Sequence, residues 1–168
     1  MPKPDYQRLK WPIFLITVPL VIAADQITKA WIRGYPLGSV IFQEGIFRIV
    51  HIQNSGAAFG LFQSQSAALL VIRLLVVAAI LVYLVFFTRR FPLFHTTWGW
   101  IAIALVFAGA SGNLIDKLNS NVSGITDFIY IWKWPAFNVA DSAVTVGTIL
   151  LAICMLFTME KSRPPAVT

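Results

Sequence analysis

Residues 13–32 read IFLITVPLVIAADQITKAWI. A bilayer core takes roughly 20 helical residues to cross, and this run is long enough and apolar enough to do so. It also carries Asp25 and Lys29. A removable signal peptide is shorter, free of such charges and followed by a small-residue cleavage site, so a permanent span is expected. Three further apolar runs follow, at about 67–87, 98–115 and 137–159. Helix is the default for each, because backbone facing lipid must satisfy its own hydrogen bonds. The expectation is an all-α integral membrane protein, a single domain over residues 1–168 with four transmembrane helices.

The composition agrees. Of 168 residues, 58% are hydrophobic and 12% charged, where soluble domains run near a quarter charged. The net charge of +6 does not form a Lys/Arg stripe, so a nucleic-acid partner is excluded. The lone Cys154 lies in an apolar run, where it reads as a small buried hydrophobe. Basic residues fix the orientation. Lys3, Arg8, Lys10, Arg89, Arg90, Lys161 and Arg163 share one side; Lys29, Arg33, Arg48, Lys117 and Lys133 lie toward the other. The positive-inside rule makes the first side, with both termini, cytoplasmic.

The acids are sharper. Asp25 lies about 10 Å from the outer end of the first span, and Asp141 about 6 Å inside the fourth. Asp116 closes the third span, and Asp127 sits in the loop between the third and the fourth. Four aspartates thus share one membrane level just inside the outer surface. Ionisable residues at such depth are functional candidates by default. Asp141 alone could be a helix N-cap, but capping accounts for neither Asp127 nor the shared depth. Two carboxylates brought close in a low-dielectric site share one proton. One can then take a proton from water while the other donates to a carbonyl, as in aspartic proteases.

Other chemistries are thin. His51 and His95 fall on opposite faces, Ser142 with Lys117 or Lys133 is a weak Ser-Lys imitation, and no acids pair at i, i+3 or i+4 to hold a metal. No cofactor is called for. A small proton-coupled transporter, with the aspartates as relay, is the rival; such sites usually lie nearer the midplane. The outer segment 33–65 contains two β-branched, aromatic stretches, Val40–Gln43 and Ile46–Ile52, around Glu44-Gly45. They read as a small sheet on the outer interface. Phe128, Tyr130, Trp132 and Trp134 in the 117–136 loop read as an aromatic belt, a flap over the site, or both.

Five stretches, in order, resemble the bacterial lipoprotein signal peptidases (signal peptidase II). They are Asp25-Gln26-Ile27-Thr28-Lys29, Asn54-Ser55-Gly56-Ala57-Ala58-Phe59, the run from Ala108 to Asp116, Thr126-Asp127-Phe128-Ile129, and Phe137-Asn138-Val139-Ala140-Asp141-Ser142. The resemblance implies an intramembrane aspartic endopeptidase of the bacterial inner membrane with a β-rich cradle on its outer face. Its substrates would be diacylglyceryl-modified prolipoproteins, cut just before the lipidated cysteine. By motif the catalytic pair falls on Asp127 and Asp141. Asp25, Lys29, Asn54, Gly56, Asn113, Asp116, Asn138 and Ala140 match supporting positions. Lys117 stands where the family usually has arginine, replacing a bidentate fork by a point charge. A monomer in contact with membrane lipids, sensitive to globomycin-type cyclic peptides, is also implied.

Overall fold

The computed structural model describes residues 6–54, 71, 74, 75, 77–82, 86, 96–119, 121 and 124–161. Among these, three helices are long and apolar enough to cross a membrane: α1 (Tyr6–Arg33), α2 (Thr97–Leu118) and α3 (Val139–Lys161). Large apolar side chains such as Leu15, Leu20, Val146, Ile149 and Leu156 are exposed along α1 and α3. In water such a surface would be a liability; in a bilayer it is the lipid-facing one. Pro12 and Pro19 sit inside α1, an interruption that membrane helices tolerate.

Phe14 of α1 packs edge-on to Trp100 and against Phe107 of α2, at centroid distances of 6.4 and 5.4 Å. Toward their other ends, Lys29 reaches Asn113 and Asp116. Hence α1 and α2 run in the same direction. α3 runs back: a methyl added at Gly109 would collide with the Ala140 carbonyl and Val144, and one at Gly147 would meet Ala102 O at 2.8 Å. Small residues let these two backbones close up. Most of the expected second span, 67–87, lies outside the described residues. Its described part 77–82 is helical, and Ile80 packs against the Phe14, Trp100, Ile103 and Ala104 core.

Each helix begins or ends at a recognisable signal. The Thr96 hydroxyl accepts the Gly99 N–H at 3.1 Å and opens α2. Asn138 opens α3: its Oδ1 accepts the Asp141 N–H at 2.9 Å, while Asp141 Oδ2 accepts the Asn138 N–H at 3.2 Å. This is a reciprocal capping box. The N-cap is therefore Asn138, and Asp141 occupies the third helical position. Asp116, expected at the close of its span, lies within α2, which continues to Leu118.

Three antiparallel strands, β1 (Val40–Glu44), β2 (Phe47–Asn54) and β3 (Ile125–Ile131), form one sheet in the order β1-β2-β3. The hairpin turn is Gly45-Ile46, one residue later than the sequence suggests. Gly45 has φ +54°, as the first central residue of a primed turn requires. β3 falls where a loop is expected. A register shift between Ile49 and Ile52 places an extra residue in β2, and Val50 and His51 are consecutively buried there. Such bulges re-aim side chains. Beyond the bulge, Ile52 pairs with Asp127 and Asn54 with Ile125.

Candidate active site

The site forms where the sheet meets the ends of α1 and α2 and the start of α3. Its base is a charge cluster. Lys29, with no exposed surface, lies 2.8 Å from Asp25 Oδ2 and 3.2 Å from Asp116 Oδ2. Asp116 Oδ1 is 2.6 Å from the Arg33 guanidinium. Gln26 Nε2 donates to both aspartates and to the Gly112 carbonyl. Asp25 Oδ1 accepts the Ala140 N–H at 2.9 Å, which ties α1 to the first turn of α3. Two carboxylates and two cations balance, which a buried cluster requires: an unpaired ion left there costs about 3–5 kcal/mol. Gly112 makes room for it, since a methyl there would sit 2.7 Å from Asp25 Oδ2.

Above this base, Asp127 and Asp141 are held by amides. Asn54 Nδ2 donates to Asp127 Oδ2 at 2.9 Å, and Asn138 Nδ2 to Asp127 Oδ1 at 2.7 Å. Asn113 Nδ2 donates to Asp141 Oδ1 at 2.8 Å. Asn113 Oδ1 in turn accepts from Lys29 at 3.0 Å and from Asn138 Nδ2 at 3.0 Å. The charge of Lys29 thus reaches the pair through Asn113. Asn138 contacts both carboxylates, one through its side chain and the other through its backbone N–H. Asp127 is 2% exposed. Burial pushes its carboxyl up to about 7, the Asn54 and Asn138 hydrogen bonds oppose that, and the neighbouring Asp141 charge adds to it. Such an environment keeps a proton on a carboxylate near neutral pH.

All four aspartates expected at one level, together with Lys29, Asn54, Asn113, Asn138 and Ala140, enter this network. Gly56 lies outside the described residues. Lys117 is half-buried next to Asp116, whose carboxylate is ion-paired with Lys29 and Arg33. Ser142 Oγ donates to the Asn138 carbonyl at 3.0 Å, an ordinary helical contact. His51 is buried in the sheet with Nδ1 2.7 Å from the Tyr35 carbonyl. Three participants escape the sequence reading: Gln26, Arg33 and Thr126. Asp25, Lys29 and Arg33 recur at every fourth position and so share one helical face, which was the available signal for Arg33.

The comparisons with known proteins converge. A family profile described as signal peptidase (SPase) II matches residues 17–157. A lipoprotein signal peptidase of Dehalococcoides mccartyi (strain BAV1) is 38% identical over 152 residues, spanning 89% of this chain and 92% of that protein. One from Clostridioides difficile (strain 630) is 34% identical over 154 residues, 90% of this chain and 99% of that protein. A solved structure described as a bacterial membrane enzyme, determined by the in meso method at 2.3 Å resolution, superposes with a TM-score of 0.78. It is 26% identical and covers 92% of this chain and 94% of its own.

Proposed function

The chain belongs to the signal peptidase II family, and we propose that it is an aspartic endopeptidase cleaving diacylglyceryl-modified prolipoproteins just before the lipidated cysteine. It is an integral membrane peptidase; the catalytic type, the cut site and the residue roles are our reading. The observation that carries it is the bridging of Asp127 and Asp141 by Asn138, with amide donors on both carboxylates.

In this reading a water sits between the two carboxyl groups, which together hold one proton. The ionised carboxylate takes a proton from the water as its oxygen attacks the scissile carbonyl carbon. The protonated carboxyl donates to the carbonyl oxygen, so a neutral gem-diol forms and the proton has exchanged sides. The gem-diol then collapses. The C–N bond breaks as the nitrogen takes the proton of one carboxyl, while the other carboxylate takes a proton from a gem-diol hydroxyl whose oxygen becomes the carbonyl of the new acid, so the pair again holds one proton. Asn54, Asn113 and Asn138 orient the carboxylates, and the Asp25–Lys29–Asp116 base holds Asn113 in place through Lys29. Lys117 and Gly56 are assigned to substrate backbone. The fourth span, inner-membrane location, cytoplasmic termini, an outward-facing site, a monomeric state and globomycin binding complete the proposal. Family membership favours this over a proton-relay transporter.

The protein reconstituted in liposomes should convert a lipid-modified precursor into two fragments, with mass spectrometry locating the new amino terminus at the lipidated cysteine. Globomycin should stop the conversion. Cleavage at another bond, or equal cleavage of the unlipidated precursor, would contradict the proposal.

A further inference from the structure

Arg33, at the last position of α1, closes a ring of three hydrogen bonds outside the carboxylate pair. Its Nη2 donates to Asp116 Oδ1 at 2.6 Å and its Nε to Thr126 Oγ1 at 2.9 Å. Asp116 Oδ2 accepts the Thr126 N–H at 3.0 Å. The Thr126 carbonyl is contacted by Asn138 Nδ2 at 3.3 Å. Every polar group of Thr126 is therefore held, by residues of α1 and α2 and by the N-cap of α3, and the next residue is Asp127. Thr126 is fully buried, while Arg33 keeps about a fifth of its side chain exposed (22%).

From this geometry we propose that Arg33 is a positioning residue, which acts through Asp116 and Thr126 to set where the Asp127 carboxylate stands against Asp141. The proposal rests on the reading of Asp127 and Asp141 as the water-activating pair. One edge of the guanidinium presents two N–H groups in fixed geometry and serves two different acceptors at once. An ammonium at the end of a flexible stem supplies the charge without that fork. The fork matters because Asp127 sits on β3 while Asp141 sits on α3, and their relative placement must survive any shift of the sheet against the helices. Asn54 and Asn138 hold the carboxylate oxygens; for Thr126, the residue immediately before Asp127, Arg33 holds the hydroxyl and Asp116 the backbone N–H.

The test uses the reconstituted full-length protein, with kcat and KM measured on a lipid-modified precursor well below the melting temperature. Thr126→Val removes the Arg33 acceptor while leaving charge and side-chain shape unchanged, so it guards against an Arg33 variant that fails to fold. Arg33→Gln and Thr126→Val should each lower kcat by about ten- to a hundredfold, the range expected for a catalytic group displaced by an ångström or less. KM should stay within about threefold, since a loss confined to kcat marks an interaction realised in the transition state. Thr126→Ser, which keeps the hydroxyl, should restore kcat, and Arg33→Lys should not. Unchanged kcat in Thr126→Val, a loss confined to KM or melting temperature, or full rescue by Arg33→Lys would each overturn the proposal. An active wild type and an inert Asp127→Asn protein show separately that the underlying reading of the pair stands.

Discussion

Asp127 and Asp141 differ from Asp25 and Asp116 in what neutralises them. The second two are ion-paired with Lys29 and Arg33, whereas the hydrogen bonds described for the first two come from asparagine amides and one backbone N–H. An amide supports a carboxylate without forcing it to ionise, so the proton stays shareable. With Asp127 pushed up to about 7, the pair of the proposed mechanism loses its shared proton as pH rises through that value. Peptidase activity should therefore fall on the alkaline side, by about tenfold per pH unit once the proton is gone. The sign for stability follows from the same shift. A carboxyl raised in the folded state contributes stability that is complete below its ordinary value and is lost as pH rises through about 7, at up to about 1.4 kcal/mol per unit. Thermal unfolding followed from pH 5 to 8 should show the melting temperature falling in the wild type and falling less in Asp127→Asn. Equal slopes would remove Asp127 as the titrating group.

At the scale of elements, the start of α3 is the part that must be placed best, since it carries Asn138 and Asp141. Gly109 lets α2 approach it there, and Gly147 does the same further along α3, against Ala102 and Leu105. Gly109→Ala and Gly147→Ala should each destabilise by about 1–3 kcal/mol through overpacking. Activity at low temperature should suffer far more in the first, because only there does the displaced backbone hold the carboxylate. Thermal melts alongside initial rates check this; equal losses of activity would refute it. The apolar helices are legible in the sequence because crossing lipid demands uninterrupted apolar length, and the β1–β2 hairpin because two β-branched and aromatic stretches flank a short turn containing a glycine. β3 gives no such signal. Ile125, Thr126, Asp127 and Phe128 are all buried, so the two-residue period that marks a half-exposed strand is absent. Arg33 is hidden for another reason: a basic residue at a helix end already has an explanation in the helix dipole and the membrane surface.

Among the described residues, the buried interior separates polarity along the helix axes. One end is apolar, built on Phe14, Trp100 and Ile103; the other holds the buried Asp25, Lys29, Asn113, Asp116, Asp127 and Asn138. The shared depth of the aspartates was readable from spacing alone, because a helix converts residue number into height at about 1.5 Å per residue. Which carboxylates pair was not readable that way, because it depends on the β2 bulge and the capping box, both of which form only in three dimensions. In the proposed mechanism one strand residue and one helix residue meet at a common water. The most direct measurement is the single-turnover cleavage rate of a lipid-modified precursor by Asp127→Asn, Asp141→Asn and the double variant, each shown to be folded by its melting curve. If the two carboxylates act as one unit, each single change should lower the rate by about a thousandfold or more, and the double change should cost no more than either alone. A folded single variant that matures the precursor at the wild-type rate would contradict the account.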